Sequence, residues 1–374
     1  MRKALNIIGL LLLWLFVAGF VMIFHKRSQE HRAVTTVQRI EVVLADSLPD
    51  ENMLSRELVN GWIKQSKIPV IGVPIADVDV VGVEALIRRN GFVAAANAGI
   101  THDGVMHIEV SQRKPLLRLI VDGYNCYVTK EGFVFPAPKK SSVYVPVVTG
   151  EYKPLFERDY VGLIEDHIEQ LIKESNERIL ALQHDKKPFF DREEEIRDSI
   201  REVRRMKVDR KGVIRYRGWG ESDESYKNRI IAKQKEKAVH YRRYRYWRRQ
   251  NDKKIADLTS RQDLEYRKQK KLMKRYEDFT KLINFVEYIG EDSFWSHEIV
   301  QIVASTMSNG ELELELIPRS GNHRVLFGQV GDEEEIEEKL DRLLAFYENG
   351  LRNLGWDTFR SISVKYRGQV VCSK

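Results

Sequence analysis

The stretch HIEVSQRKPLLRLIVDGYNCYVTKEGFVFP, residues 107–136, decides the fold of this 374-residue chain. Its runs LLRLIVD and YNCYVT are rich in branched and aromatic residues, which is typical of β-strands,. The segment KEG between YNCYVT and FVFP predicts a tight turn, since glycine accepts turn conformations that other residues resist,. We therefore expect one sheet to end before Pro115 and a second sheet to begin directly after it.

The residues before this stretch predict a first small domain over residues 36–112. A β-branched run at 34–44 indicates a strand, and two amphipathic helices follow it,. Asp79 is a candidate N-cap of the second helix, with Gly91 as its C-terminal stop. A hairpin with an Asp103-Gly104 turn closes the segment. The order β-α-α-β-β follows.

The residues after this stretch predict a mixed β-sheet domain in two parts, 113–154 and 286–374. In the second part, leucines at 312, 314 and 316 alternate with glutamates, as in a half-buried strand,. Asp332 and Glu335 form a capping pair that opens a helix. One final strand is expected over residues 360–372. The chain as a whole is predicted to be α+β.

A charged helical insertion, residues 155–285, separates the two parts of the sheet domain. Residues 155–281 hold 35 lysines and arginines against 25 aspartates and glutamates, so this segment supplies the net positive charge of the chain. Apolar residues recur at coiled-coil spacing from Val161. Pro188 is expected to end this helix and Asp191 to cap the next. Residues 221–289 contain neither glycine nor proline. We interpret the insertion as a helical hairpin or short coiled coil projecting from the sheet domain.

The amino terminus predicts a membrane anchor. Residues 4–24 carry no charge, and 21 helical residues at about 1.5 Å each match a hydrocarbon core of about 30 Å,. A cleaved signal peptide is disfavoured because the apolar run is too long and lacks an A-x-A site. Residues 1–3 form a short tail and 25–35 a polar linker. Basic residues on both sides leave the orientation open on charge alone.

No motif in the sequence predicts catalysis. Phosphate-binding glycine loops, C-x-x-C and H-E-x-x-H spacings and a G-x-S-x-G elbow are missing from the sequence,. We therefore predict a non-enzymatic protein without cofactor or metal, and a hydrolase with a dispersed active site is the least favoured alternative. Cys126 and Cys372 could form a disulfide or remain two buried thiols.

The single apolar span, the β-α-α-β-β module and the run at 107–136 together resemble the FtsQ/DivIB cell-division family. The segments at 291–302, 311–328, 337–351 and 362–372 are similar to the β domain of its Bacteroidetes-type branch. The resemblance implies a POTRA domain and a single-pass protein of the inner (cytoplasmic) membrane at the division septum. The amino terminus would be cytoplasmic and the bulk periplasmic. The insertion departs from the family pattern.

The resemblance also implies partners. These are small bitopic coiled-coil proteins of the FtsB and FtsL types and proteins of septal peptidoglycan synthesis, with no nucleic acid and no small-molecule substrate. By position, the terminal strand matches the family's partner-binding edge. Its candidate residues are Lys365, Tyr366, Arg367, Gly368, Gln369, Val370 and Val371. Tyr366 would be a large anchor of low entropic cost, or else a core residue.

The run HYRRYRYWRRQ, residues 240–250, offers a second candidate surface. Read as a helix, Tyr241, Tyr244 and Trp247 form a stripe, which we expect to pack against the helix at 157–183. Most arginines lie off that stripe and form a candidate ridge for anionic surfaces. Its residues are Arg242, Arg243, Arg245 and Arg249. The alternative function is therefore binding of peptidoglycan or a membrane surface through the insertion.

Overall fold

The computed structural model describes residues 2–45, 53–138, 142–206 and 219–374, with side chains in the first helix described from residue 13. The first helix, α1, spans Arg2–Val34. No helix with described side chains is long and apolar enough to cross a membrane. The predicted span at 4–24 lies within α1, and the side chains of its residues 4–12 lie outside those described.

The first domain has the predicted β-α-α-β-β order. Its elements are β1 (Arg39–Leu44), α2 (Arg56–Gln65), a 3-10 turn (Ile75–Asp77), α3 (Val80–Arg88), β2 (Val93–Ile100) and β3 (Val105–Gln112). The strands lie in the order β1-β3-β2, with β1 parallel and β2 antiparallel to β3. Asp79 caps α3 as predicted, because its carboxylate accepts a 2.8 Å hydrogen bond from the Gly82 amide.

The two predicted parts of the second domain form one mixed sheet. Its first part contains β4 (Leu117–Val121), β5 (Tyr124–Val128), β6 (Phe133–Pro136), β7 (Val147–Thr149) and β8 (Gly162–Leu163). Its second part contains β9 (Ile299–Thr306), β10 (Leu312–Pro318), β11 (Arg324–Gly328), β12 (Ser361–Ser363) and β13 (Val371–Ser373). The spatial order is β13-β12-β11-β10-β9-β7-β4-β5-β6-β8.

The two parts of the sheet meet at the parallel pair β7 and β9. Val147, Val148 and Thr149 lie opposite Gln301, Ile302 and Val303. The amide of Gln301 also donates a 2.7 Å hydrogen bond to the hydroxyl of Thr149. This pairing makes residues about 150 positions apart in the chain adjacent in the sheet.

Helices pack against the carboxy-terminal half of the sheet. They are the end of α5 (Asp223–Glu291), then α6 (Trp295–Glu298), α7 (Glu333–Phe346), a π-turn (Tyr347–Leu351) and α8 (Arg352–Leu354). The ring of Phe285, from the last turns of α5, lies 4.8 Å from that of Phe327 on β11.

Nearby, His323 is buried and its Nε2 lies 2.8 Å from the Tyr347 hydroxyl. Burial lowers the pKa of His323 and raises that of Tyr347,.

The insertion is a helical hairpin. Its helices are α4 (Ile164–Arg205) and α5 (Asp223–Glu291), and residues 166–277 form a compact unit of their own. The two helices are antiparallel, because residues later in α4 contact residues earlier in α5. Glu265 accepts a 3.2 Å hydrogen bond from Arg178, and Asn251 donates one of 2.7 Å to the Phe189 carbonyl.

The prediction that Pro188 ends one helix and Asp191 begins another is wrong, since both lie within α4. The buried face of α4 continues through this point, with Ile179, Lys186 and Ile196 on the same stripe. Pro188 lies on the exposed side, where water can satisfy the His184 carbonyl that the missing N–H leaves unpaired,. Packing along the hairpin therefore outweighs the local cost of proline.

Candidate partner-binding edge at the carboxy terminus

The sheet ends at β13, which is an open edge. β13 pairs antiparallel with β12, where Ser361, Ile362 and Ser363 lie opposite Ser373, Cys372 and Val371. On its other side no strand of the described chain pairs with it. An edge strand presents unpaired N–H and C=O groups and can accept a further strand from another chain.

The prediction of one terminal strand over 360–372 is wrong, because the chain forms two short strands and a loop. The loop runs from Val364 to Val370 and contains a turn at Arg367-Gly368. Gly368 has φ +71°, a left-handed conformation that glycine adopts without a steric penalty,. The turn reverses the chain, so residues 365–370 lie beside the sheet edge and only Val371 of the predicted set lies in β13.

A guanidinium from α7 holds this loop. Arg342 donates a 2.6 Å hydrogen bond to the Tyr366 carbonyl and a longer one, 3.5 Å, to the Val364 carbonyl. Its other nitrogen pairs with Glu338 at 3.0 Å, four residues earlier on α7. The Arg342 side chain is only 15% exposed, so water competes weakly with these contacts,. The backbone at Tyr366 is thereby fixed while its ring stays free.

The start of the loop is fixed from the sheet. Lys365 forms a 2.8 Å ion pair with Glu313 on β10. Gly328 at the end of β11 has φ +82°, and a Cβ there would lie 2.8 Å from Cγ of Lys365. A glycine is therefore needed for both the backbone conformation and the close approach of the lysine.

Two protein-family models match the chain. A POTRA-like domain matches residues 35–111, and a model described as FtsQ/DivIB, C-terminal related matches residues 263–373. The second match covers the end of α5, the strands β9 to β13 and the helices between them, and so includes the open edge. These matches support the assignment of the chain to the FtsQ/DivIB family with a POTRA domain. No curated protein matches the chain.

The two matches confirm the predicted FtsQ/DivIB family and its POTRA domain. The family consists of non-enzymatic cell-division proteins, and its domains imply a scaffold role that depends on interactions with other division proteins. The first domain described above is the POTRA-like domain. The FtsQ/DivIB match begins at residue 263, inside α5, and so starts before the predicted boundary at 286.

The structure brings the seven candidate partner-binding residues together at one corner of the sheet. Tyr366 is 56% exposed, which excludes the alternative that it is a core residue. Arg367, Gly368 and Gln369 are also exposed. Lys365 and Val370 are half-buried, and Val371 on β13 is exposed. The corner therefore presents one aromatic ring beside an unpaired strand edge.

A charged cleft of about 420 Å³ adjoins this corner. It is lined by Asp332, Glu334, Glu335, Glu338, Lys339, Arg342, Lys365 and Arg367. Sequence reasoning missed Arg342, Glu338 and Glu313 as members of the site. The i,i+4 spacing of Glu338 and Arg342 could have indicated an ion pair on α7, but no sequence signal places that pair beside Tyr366.

The two cysteines are free thiols in the structure, so the alternative of a disulfide between Cys126 and Cys372 is wrong. Cys126 lies in the middle of the sheet on β5, where burial raises its pKa to about 12. Cys372 lies at the edge on β13, where partial burial also raises its pKa. Both thiols are therefore protonated near neutral pH.

The second candidate surface lies on α5. The arginines 242, 243, 245 and 249 are all exposed, whereas Tyr241, Tyr244 and Trp247 are half-buried. The prediction that this aromatic stripe packs against the helix at 157–183 is wrong. Tyr241 lies beside Arg204, at the end of α4 and not in the 157–183 segment, with 3.5 Å between the hydroxyl and Nη2. The antiparallel hairpin places the beginning of α5 against the end of α4.

Proposed function

We propose that this chain is a bitopic, non-enzymatic scaffold of the bacterial division machinery that recruits partner proteins through its carboxy-terminal sheet edge. The partners would be small bitopic coiled-coil proteins of the FtsB and FtsL types, which the scaffold links to septal peptidoglycan synthesis. The observation that carries the proposal is the unpaired side of β13 beside the exposed ring of Tyr366.

Strand addition at β13 suits such a partner. An extended segment of the partner would pair with the free edge of Val371–Ser373, and its side chains would lie alternately on the two faces of the sheet. Tyr366 would pack against that segment with little further loss of entropy, because Arg342 already fixes its backbone,. The mixed charges of the adjoining cleft would set the register of the added strand.

We further propose that α1 anchors the protein in the inner membrane at the division septum, with residues 1–3 cytoplasmic and the bulk periplasmic. The continuous helix Arg2–Val34 supports this proposal. Large apolar side chains stand exposed on it, among them Leu13, Trp14, Phe16, Phe20 and Phe24. Such an exposed surface suits lipid much better than water.

The partner site is tested by changing Tyr366→Ala in the full chain and measuring the affinity for the FtsB-type partner from the same genome. We expect at least about a tenfold loss, because a central aromatic anchor contributes about 2 kcal/mol or more. Tyr266→Ala is the matched control, since Tyr266 is also exposed but lies on the hairpin. Unchanged affinity in a folded Tyr366→Ala protein would contradict the proposal.

The location is tested separately with a fluorescent fusion in dividing cells. We expect a band at the septum for the wild type. Deletion of residues 1–24 should remove the membrane signal and leave the sheet domain folded. Uniform membrane staining of the wild type during division would argue against a septal scaffold, and an unchanged membrane signal after the deletion would argue against the anchor.

A further inference from the structure

A second stripe of residues runs along α5 on the side away from α4. Successive members are three or four residues apart, so they lie on one face of the helix. They are Ile231, Lys235, Val239, Arg242, Tyr246, Arg249 and Lys253, which we call the outer stripe. All seven are exposed, whereas the opposite face, which includes Tyr244 and Asn251, is partly or fully buried.

The outer stripe alternates apolar and cationic side chains. Ile231, Val239 and Tyr246 are 47%, 61% and 60% exposed, which is a large apolar exposure for a helix in water,. They occupy the first, third and fifth positions of the stripe. A purely solvated face would hold polar residues at these positions.

Within the described part of the chain, the cations of the outer stripe have no carboxylate partners. Lys235, Arg242, Arg249 and Lys253 make no ion pair with any described residue. Elsewhere on the same helix, Lys233 pairs with Glu236 at 2.7 Å and Arg261 with Asp257 at 3.0 Å. The sequence contains no acidic residue from Lys237 to Asn251. This part of α5 therefore has an uncompensated positive potential.

We propose that the outer stripe binds the surface of an anionic phospholipid bilayer. Lysine and arginine would contact lipid phosphates, and guanidinium groups can do so with two parallel hydrogen bonds. Ile231 and Val239 would enter the boundary between headgroups and acyl chains, and the amphipathic ring of Tyr246 would lie at the same depth.

An anionic lipid surface accounts for both the cationic and the apolar residues of the stripe. An acidic wall polymer would satisfy the four cations but would leave Ile231, Val239 and the Tyr246 ring in water. The basic run without acidic residues also excludes a second copy of the same stripe as the partner, because like charges would face each other. The inference concerns the hairpin alone and does not depend on the partner site at β13.

The test uses the full chain held in phosphatidylcholine nanodiscs. An environment-sensitive fluorophore is attached at Val239→Cys in a Cys372→Ser background, where the remaining thiol, Cys126, is buried. The protein is titrated with vesicles of phosphatidylcholine alone or of phosphatidylcholine with phosphatidylglycerol. We expect a blue shift and quenching by brominated lipid with the anionic vesicles only, weakened at high salt.

Two variants identify the residues responsible. Arg242→Glu with Arg249→Glu should weaken partitioning by at least about tenfold, equivalent to about 1.4 kcal/mol. Lys270→Glu with Lys271→Glu makes the same change of charge on exposed residues of the same helix, beyond Asp257, and should leave partitioning nearly unchanged. Equal losses in the two double variants would overturn the assignment to the outer stripe.

Three other results would overturn the proposal. The first is no blue shift with anionic vesicles, and the second is an equal shift with phosphatidylcholine alone. The third is salt-sensitive sedimentation with cell-wall sacculi, dependent on Arg242 and Arg249, without any response to phosphatidylglycerol. That third result would assign the stripe to an acidic wall polymer.

Discussion

The guanidinium of Arg342 donates a 2.6 Å hydrogen bond to the carbonyl oxygen of Tyr366, and the two residues are 24 positions apart in the chain. Through this bond α7 fixes the loop that carries the candidate anchor. The loop joins β12 to the open edge strand β13, so the same contact also sets the position of the edge. The account of partner binding depends on this link between helix, loop and edge.

Arg342→Met should weaken partner binding while the sheet domain stays folded. The substitution keeps an apolar stem but removes the hydrogen bonds to the carbonyls of Val364 and Tyr366. A hydrogen bond from a charged donor contributes about 1.5–3 kcal/mol, so we expect a loss of affinity of at least about tenfold. The measurement is a titration with the FtsB-type partner. Arg352→Met is the control, since Arg352 is exposed on α8. Equal affinities for the two variants would show that partner binding does not require Arg342 to hold the loop.

Gly328→Ala should displace the loop more than Gly310→Ala, which introduces the same backbone strain. Gly328 and Gly310 both have φ +82°, but a Cβ at Gly310 meets no atom within 4 Å, whereas at Gly328 it lies 2.8 Å from Lys365. Gly310→Ala should cost about 1 kcal/mol of unfolding free energy from backbone strain alone. Gly328→Ala should cost more and should also reduce partner affinity. Chemical denaturation and partner titration of both variants measure the difference. An equal cost with intact binding would refute the role of the close approach.

Pro188→Ala should stabilise the hairpin. The alanine N–H can donate to the His184 carbonyl and continue the helical ladder of α4, which proline interrupts at a cost of about 3 kcal/mol in an ordinary helix interior. Because Pro188 is exposed, we expect a gain of about 1–3 kcal/mol. Amide hydrogen exchange over residues 179–195 of the full chain measures it. Lys187→Ala, next to it and also exposed, is the control. A loss of protection in Pro188→Ala would mean that the hairpin requires the irregularity.

The free energy of unfolding should fall as the pH drops below about 6.5, the ordinary pKa of histidine. Burial holds the pKa of His323 below its usual value, so the unfolded chain binds a proton before the folded chain does,. The contribution is complete above the unfolded pKa, near 6.5, and is lost as the pH falls through the lower folded pKa. Thermal unfolding between pH 7.5 and about pH 5 measures the slope. His323→Gln should flatten it, while His297→Gln, at an exposed histidine, should not. An unchanged slope in His323→Gln would contradict this reading.

Short-range patterns in the sequence predict much of the fold. Runs of branched and aromatic residues in 107–136 predict β4 and β5, and the Asp103-Gly104 turn predicts the hairpin of β2 and β3. The long run without glycine or proline predicts a helical segment, which the structure shows to be one helix of 69 residues, α5. These predictions succeed because the signal and the structure both lie within a few neighbouring residues. The family resemblance adds the POTRA-like domain and the terminal sheet, both of which the family models match.

The missed features all depend on distant contacts. Pro188 predicts a break, yet packing of α4 along α5 overrides the local preference. The turn at Gly368 divides the last strand because Arg342 and Glu313 hold the loop from two other elements. The outer stripe of α5 becomes visible only when the structure shows which face of the helix α4 covers. Periodicity alone gives two candidate faces and does not choose between them.

The most direct test of the central claim is amide hydrogen exchange of the full chain with and without its FtsB-type partner. The account predicts that the partner slows exchange at Val371–Ser373, since a strand added at the open edge would take up the free N–H groups of β13,. Residues 366–370 should also gain protection, and β2 at the edge of the first domain should not change. Tight binding without added protection at β13 would contradict the account and place the partner site elsewhere on the chain.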